Sequence, residues 1–241
     1  MEGKKSLGIL MPAFNEENTI GEILNRLASV IRNDLPREIG SSEIVIVNDG
    51  SMDRTQSIIE EFKLSNPDLN IKNFYQKNGG KGLAIRKAIQ EADTDILVIQ
   101  DADLEYDPKD FTVMLPYIVN GRYSVVYGSR FLDHQNKHSY SSFYIGGRLV
   151  SFVSNFLYGL HLTDEPTCYK MFTRESVSKI KLNCTGFEFC PEFTAKIAKA
   201  GYDILEVPIH YYPRSIEEGK KISWIDGVEA IWTLIKYRFT D

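Results

Sequence analysis

The 241-residue sequence contains few of the residues that mark disulfide-bonded, zinc-binding or nucleic-acid-binding proteins. Its 3 cysteines, Cys168, Cys184 and Cys190, form an odd and widely spaced set without the spacing of metal ligands, so reduced thiols in a cytosolic protein are the simpler interpretation. The 28 basic residues are outnumbered by 33 acidic residues, which gives a formal net charge of −5. No basic excess is therefore available for broad nucleic-acid binding.

Long hydrophobic runs are also absent from the sequence. No apolar run approaches the roughly 18 residues that a helix needs to cross a bilayer. Residues 1–5 lead directly into a predicted strand and lack the pattern of a secretory signal. These features predict a cytoplasmic protein and leave open a position on a membrane surface.

The first 130 residues show a repeated alternation of strand and helix patterns. Such units are typical of an α/β fold with a mostly parallel sheet covered by helices, in which ligands bind beyond the carboxyl ends of the strands. The predicted strands are 6–11, 43–47, Asn70–Tyr75, Ile96–Ile99 and 124–127, with predicted helices at about 20–31, 53–63 and 82–92.

Residues 131–241 have a different organisation. A polar loop is predicted at 131–142, strands at 167–172 and 203–211, and helices at 145–160, near 191–200 and at Trp224–Phe239. The first of these helices has a wide apolar surface, and the last carries Trp224 and Trp232 with basic residues near its end, a pattern that suits a membrane interface. Packing in a core or in a dimer interface is the alternative.

The most informative feature is a group of three carboxylates, Asp101, Asp103 and Glu105, directly after the apolar run Ile96–Ile99. Acidic side chains this close repel one another unless a cation lies among them. Oxygen ligands suit Mg²⁺ or Mn²⁺ rather than zinc, and magnesium keeps coordination positions for water and phosphate. The sequence therefore predicts a divalent metal that holds a phosphorylated substrate, with a solvated acidic turn as the alternative.

Polar loops follow the other predicted strands as well. Asp49 could hydrogen-bond a base or ribose, and Gly50 would let the backbone approach a ligand closely. Ser51 or Asp53 could instead cap the next helix. The segment 76–82 is a glycine-rich loop with Lys81 at a helix N-terminus, which can hold phosphate but lacks the order of a Walker loop.

These segments occur in a characteristic order: PAFNE at 12–16, VNDGS at 47–51, NGGKG at 78–82, DAD at 101–103 and GSR at 128–130. The ordered set resembles the family 2 glycosyltransferases with the GT-A fold. It is most similar to the branch that includes dolichyl-phosphate mannosyltransferase and bacterial polyprenyl-phosphate glycosyltransferases. The resemblance covers about residues 6–237. It implies a single GT-A domain over 1–241, with a nucleotide-sugar-binding half at 6–130 and an acceptor-binding half with amphipathic helices at 131–241.

The resemblance also implies roles for matching residues of the donor site. Asp101, Asp103 and Glu105 would bind the metal, with Asp103 as a catalytic residue. Relatives often have glutamine where this chain has Glu105, and two acids where it has Asn48 and Asp49, so the donor sugar stays open. The residues that would line the donor site are Pro12, Ala13, Phe14, Glu16, Asp49, Gly50, Ser51, Gly80, Lys81, Asp101 and Ala102.

An acceptor phosphate is implied by a second set of residues. Arg130 and Arg148 match basic residues that bind this phosphate, and Lys170 stands where relatives have an arginine. Arg214, Lys220 and Lys221 resemble a basic loop that covers the donor diphosphate. A phosphate monoester is mostly dianionic at neutral pH, so it needs no general base, and direct attack would invert the anomeric carbon. A solvated surface charge is the alternative for each lone basic residue.

The expected activity is transfer of a sugar, from a donor of the GDP-mannose or UDP-glucose type, to a polyprenyl phosphate such as dolichyl or undecaprenyl phosphate at the cytosolic face of a membrane. The main alternative is a saccharide hydroxyl acceptor, which needs a base such as Glu188 or Glu192. A nucleotidyltransferase is less favoured, because the glycine-rich basic signature of that class does not follow the first strand of this sequence. A non-catalytic binding subunit is a further alternative. Expected partners are the donor, the lipid acceptor, the membrane surface, and a membrane-protein partner or a second copy of the chain.

Overall fold

The computed structural model describes residues 3–136, 141–214 and 223–240. Seven strands form one central sheet: β1 (Lys5–Ala13), β2 (Ile39–Asn48), β3 (Asn70–Tyr75), β4 (Ile96–Ile99), β5 (Val125–Ser129), β6 (Lys170–Thr173) and β7 (Ile204–Pro208). Their order across the sheet is β3-β2-β1-β4-β6-β5-β7. Neighbours among β1 to β4 are parallel, β6 is antiparallel to both of its neighbours, and β5 is parallel to β7.

Helices cover both faces of this sheet. The α-helices of the described ranges are α1 (Ile20–Asn33), α2 (Thr55–Ser65), α3 (Lys81–Glu91), α4 (Phe111–Val119), α5 (Ser141–Tyr158), α6 (Arg174–Ser178), α7 (Phe189–Lys199) and α8 (Trp224–Phe239), of which α5 and α8 pack on α7. Alternate residues of β1 lie in different hydrophobic clusters, because successive side chains of a strand point to opposite faces. Ile9 packs in the cluster that includes Ile20 of α1, and Leu10 packs in the cluster that includes Ala84 of α3.

The strand order reverses between β1 and β4. The chain runs from β1 outward to β2 and β3, and then returns to the other side of β1 as β4. Ligands of open parallel sheets bind at the carboxyl ends of the strands where the order reverses. Residues 12–16 begin with the last two residues of β1, and residues 101–105 come shortly after β4, so the topology brings the sequence motifs together.

The predicted α/β fold is confirmed, and the differences lie in the second half. The strand predicted at 167–172 begins at Lys170, since Thr167 N–H donates to the Asp164 carbonyl in a turn, 3.3 Å away. The strand predicted at 203–211 ends at Pro208, and Tyr211 forms only an isolated bridge with Tyr106. The sequence reading missed α6, and α5 begins inside the segment predicted as a loop at 131–142, of which 137–140 lie outside the described residues.

Helices α5 and α8 pack against each other next to α7. Val150 of α5, Ala195 of α7 and Leu234 of α8 belong to one small buried cluster, and the Tyr158 hydroxyl donates to the Leu234 carbonyl, 2.6 Å away. In the ranges that the structure describes, no helix has both the length and the apolar character to cross a membrane.

Candidate active site

The loops after β1 and β2 are joined into one surface by hydrogen bonds. The amide of Asp49 donates to the Ala13 carbonyl (2.8 Å), and the amide of Asn15 donates to the Ser51 hydroxyl (2.9 Å). The amide of Met52 in turn donates to the Asn15 side-chain oxygen, 2.9 Å away. Because the strands are parallel neighbours, both loops lie at the same edge of the sheet.

Asp49 holds the glycine-rich loop in place. Its carboxylate is 3% exposed and accepts hydrogen bonds from the amides of Gly79 (2.9 Å) and Gly80 (2.8 Å) and from the side chain of Gln76 (2.6 Å). The sequence predicted a base or ribose contact for this carboxylate. The structure shows that it organises the loop that precedes α3.

Two glycines of the predicted donor site allow close contact between backbone segments. Gly50 has a φ of 79°, and a Cβ atom there would lie 2.7 Å from the Asn78 amide nitrogen. Gly80 has a φ of 94°, and its Cβ atom would lie 2.4 Å from the Thr185 carbonyl oxygen. Both positions therefore require glycine, and the loop at Gly80 packs on the turn at Thr185.

Lys81 pairs with Asp101. Its ammonium lies 2.7 and 2.8 Å from the two carboxylate oxygens of Asp101, and 3.0 Å from the Cys168 sulfur. Burial lowers the pKa of Lys81, but the nearby Asp101 carboxylate outweighs it and raises the pKa well above its ordinary value. Lys81 is therefore a fixed positive charge beside one of the predicted metal ligands.

Arg214 pairs with the remaining carboxylates. Its guanidinium lies 2.5 Å from Asp103, 3.3 Å from Glu16 and 3.7 Å from Glu105, and its amide donates to Glu105 over 3.0 Å. The Tyr211 hydroxyl donates to the other oxygen of Glu105, 3.3 Å away. Glu16, which is distant in the sequence, thus meets Asp103 and Glu105 around one arginine.

The cluster carries more negative than positive charge. Four carboxylates and two cations leave a formal charge of −2: Glu16, Asp101, Asp103 and Glu105 against Lys81 and Arg214. Burial and the neighbouring Asp101 raise the pKa of Asp103 to about 7, although Arg214 opposes this shift. Across the described residues, no three His, Cys, Asp or Glu side chains are arranged to hold a metal. The chemistry of the donors, rather than their present arrangement, suits Mg²⁺ or Mn²⁺, because the set is oxygen-only and its excess charge equals that of one divalent cation.

Arg130 lies at the end of β5 and pairs with a residue that the sequence analysis missed. Its Nε and Nη2 atoms each donate to the fully buried carboxylate of Asp164, over 2.7 Å. The guanidinium also lies over the Tyr211 ring, 5.3 Å from the centroid. Arg148 is exposed, and it donates to the Thr163 carbonyl over 3.1 Å. The two predicted acceptor arginines therefore meet at the turn formed by Thr163 and Asp164.

Lys170 does not join these arginines. It is 0% exposed, its ammonium donates to the Glu165 carbonyl (2.8 Å), and it lies 3.5 Å from the centre of the Tyr127 ring. The structure therefore corrects the prediction that Lys170 contributes to a phosphate-binding cluster. These contacts accommodate the ammonium of Lys170 in the interior beside β5, since a buried ammonium requires acceptors and is attracted to an aromatic face.

The two glutamates considered as bases hold backbone turns. Glu188 accepts from the amides of Thr185 (2.7 Å) and Gly186 (2.8 Å). Glu192 is 0% exposed and accepts from the Asn183 amide (2.8 Å) and from Lys196 (2.6 Å). Burial raises the pKa of Glu192, but Lys196 and the backbone donors outweigh it and lower the pKa below its ordinary value.

The remaining predicted site residues differ in their placement. Pro12 and Phe14 are partly buried, whereas Ala13 and Ala102 lie in the core. Lys220 and Lys221 lie outside the described residues. Asp164 was missed, and the contact of Gln76 with Asp49 was not predicted, because these residues and their partners become neighbours only in the folded chain.

A model of the family described as Glycosyl transferase family 2 matches residues 8–181, and the chain belongs to this family. The chain is 29% identical over 240 residues to the uncharacterized protein MJ1222 of Methanocaldococcus jannaschii, covering 96% of this chain and 92% of that protein. It is 27% identical to the dolichyl-phosphate beta-glucosyltransferase ALG5A of Trichomonas vaginalis, covering 85% of this chain and 65% of the relative. It is also 27% identical to the UDP-N-acetylglucosamine–dolichyl-phosphate N-acetylglucosaminyltransferase of Methanococcus voltae, covering 85% of both chains.

Solved structures share the fold. Glucosyl-3-phosphoglycerate synthase of Mycobacterium tuberculosis superimposes with a TM-score of 0.70 at 16% identity, over 97% of this chain and 80% of the other. A complex of that enzyme with Mn²⁺, uridine diphosphate and glucosyl-3-phosphoglycerate has a TM-score of 0.67 at 15% identity, over the same shares of the two chains. The predicted GT-A fold is thereby confirmed.

Proposed function

We propose that this glycosyltransferase moves one sugar from a nucleotide diphosphate sugar to a polyprenyl phosphate, with inversion at the anomeric carbon. One observation carries the proposal. The Tyr211 hydroxyl contacts Glu105 of the carboxylate cluster, and the Tyr211 ring lies under the guanidinium of Arg130. A single side chain thus joins the proposed donor site to the proposed acceptor site.

Asp101, Asp103 and Glu105 would hold Mg²⁺ or Mn²⁺, which neutralises the leaving diphosphate as a Lewis acid when bound. Two features of the chain support this assignment. The cluster has an excess charge of −2 around oxygen donors. Arg214, which now lies against Asp103, begins the basic segment predicted to cover the diphosphate. Its guanidinium can release the carboxylate and pair with phosphate oxygens instead, since it binds both groups with the same geometry.

The acceptor would attack as a phosphate dianion. Its second pKa is near ~6, so at neutral pH the oxygen needs no proton acceptor in the protein. Arg130 and Arg148 would bind this phosphate and offset its repulsion from the donor diphosphate. Glu188 and Glu192 are engaged by backbone amides, which disfavours the alternative of a hydroxyl acceptor with one of them as base.

The names of two relatives support the lipid acceptor. Both the Trichomonas vaginalis and the Methanococcus voltae proteins are described as dolichyl-phosphate sugar transferases. One is named for glucose and the other for N-acetylglucosamine, so they leave the donor sugar of this chain undecided.

A peripheral position on the cytosolic face of a membrane completes the proposal. Helices α5 and α8 pack together and expose large apolar side chains: Ile145, Leu149, Phe152, Phe156, Trp224, Ile225, Val228, Trp232 and Phe239. Phe152 is 67% exposed and Phe156 is 81% exposed. Aromatic residues on such a surface, with Lys236 and Arg238 at the end of α8, suit an anionic lipid interface.

The reaction is tested with radiolabelled GDP-mannose, UDP-glucose and UDP-N-acetylglucosamine, each mixed with polyprenyl phosphate and protein. We expect label in the organic extract with one donor, and loss of that label with EDTA or with the Asp103→Asn variant. Hydrolysis of a donor without labelled lipid would contradict the proposal. Membrane contact is tested by flotation with anionic vesicles, where the double variant Phe152→Ser and Phe156→Ser should bind less than Leu64→Ser, which changes a side chain 82% exposed on α2.

A further inference from the structure

The Asp164 carboxylate accepts hydrogen bonds from both donor atoms on one edge of the Arg130 guanidinium. Its Oδ2 atom accepts from Nε (2.7 Å) and from the Arg130 amide (2.9 Å), and its Oδ1 atom accepts from Nη2 (2.7 Å). Asp164 is 0% exposed, whereas the Arg130 side chain is 18% exposed. The carboxylate is therefore buried completely, while the arginine side chain keeps a small exposed fraction.

Asp164 is itself held by Glu206 of β7. The Asp164 amide donates to Glu206 Oε1 (2.8 Å), and the Thr163 amide donates to Glu206 Oε2 (2.6 Å). β7 pairs with β5, in which Tyr127 is the partner of Glu206. The turn at Thr163 and Asp164 is thus fixed to the strand next to the one that ends at Ser129, directly before Arg130.

The same turn contacts the second acceptor arginine, because the Thr163 carbonyl accepts from Arg148 Nη1 over 3.1 Å. A flexible arginine would lose rotational freedom on binding phosphate, and a prearranged one avoids most of that cost. Asp164 also reduces the local positive charge. Its benefit for a phosphate acceptor is therefore orientation of Arg130 rather than attraction.

We propose that Asp164 is a positioning residue for the acceptor phosphate, which orients the guanidinium of Arg130 and is itself oriented by Glu206. This inference rests on the proposed function, since it requires that Arg130 contacts the acceptor. Asp164 acts through Arg130 and touches neither substrate.

The test compares Asp164→Asn with Arg130→Ala and with the double variant. We expect Asp164→Asn to raise KM for polyprenyl phosphate by about tenfold or more with little change in KM for the donor, because a binding group displaced by about 1 Å can cost up to about a hundredfold. In the double variant the two effects should not multiply, since Asp164 has no function without Arg130. A matched control is Asp68→Asn, because Asp68 accepts from Nε and Nη2 of Arg32 over 2.9 Å in the same geometry on the exposed surface.

Several outcomes distinguish failure of the inference about Asp164 from failure of the proposed acceptor site. If Asp164→Asn lowers the melting temperature and leaves the acceptor KM unchanged, Asp164 is merely structural and the inference is wrong. The inference also fails if the effects of Asp164→Asn and Arg130→Ala multiply. If Arg130→Ala itself leaves the acceptor KM unchanged, the proposed acceptor site is wrong, whatever Asp164 does. If the Asp164→Asn variant does not fold, the Glu206→Gln variant is tested in its place. That variant keeps the Asp164 charge, and it should still raise the acceptor KM.

Discussion

The guanidinium of Arg214 lies 2.5 Å from the carboxylate of Asp103, so a predicted metal ligand is paired with a cation of the chain itself. The pair joins residues 111 positions apart. Glu16 and Glu105 lie on the same guanidinium, at 3.3 and 3.7 Å. A divalent cation that binds these carboxylates must compete with Arg214.

Replacement of Arg214 by glutamine should therefore strengthen metal binding in the absence of donor. Removal of a positive charge a few ångströms from the site should raise Mn²⁺ affinity by about tenfold or more. The decrease of the free Mn²⁺ signal in electron paramagnetic resonance measures this affinity. Arg26→Gln is the control, because Arg26 pairs with Glu22 on the surface of α1. Equal affinities for the wild type and Arg214→Gln would show that Arg214 does not compete with the metal.

Asp49→Asn should loosen the glycine-rich loop. An asparagine places an NH₂ group where the carboxylate accepts hydrogen bonds from Gln76, Gly79 and Gly80. We expect a loss of about 1–3 kcal/mol in the free energy of unfolding and a higher donor KM. Urea denaturation and initial rates measure the two effects, with the exposed Asp34→Asn as control. An unchanged donor KM together with unchanged stability would contradict this account of Asp49.

Glu192→Gln distinguishes a structural anchor from a catalytic base. The substitution leaves the buried ammonium of Lys196 without its carboxylate partner, which should reduce the free energy of unfolding by about 3 kcal/mol. Glu188→Gln should cost less, because in the described part of the chain the donors to the Glu188 carboxylate are backbone amides and a hydroxyl of residues 185 and 186. If either variant kept full stability and lost all transfer activity, a base-catalysed reaction would be favoured instead.

His210 should titrate above its ordinary range. The Asp110 carboxylate lies 2.8 Å from Nδ1 and raises the pKa of His210 by hydrogen bonding and by its charge. Because the folded-state pKa is raised, this contribution to stability is complete below the unfolded pKa of about 6.5 and is lost as the pH rises through the folded value. The ring-proton shifts of His210 in NMR give the midpoint, which should fall in Asp110→Asn. A midpoint at or below 6.5 would contradict the pairing.

The position of the site could be predicted from the sequence, because apolar runs such as Ile96–Ile99 end in polar loops and the ends of parallel strands meet at one edge of a sheet. The ion pairs within the site could not be predicted in this way. Lys81 pairs with Asp101, and Arg130 with Asp164, across 20 and 34 residues of sequence. Nothing local to Lys170 indicates that it is buried, since this depends on the antiparallel insertion of β6 between β4 and β5.

The central claim, a phosphate acceptor, is tested most directly by comparing polyprenyl phosphate with the matching polyprenol under identical conditions. The measured quantity is the rate at which label from the nucleotide sugar enters the lipid. The account predicts rapid labelling of the phosphate and none of the alcohol, because Arg130 and Arg148 are proposed to bind the phosphate anion. The described glutamates at 188 and 192 are engaged by backbone amides. Equal or faster labelling of the alcohol would contradict it.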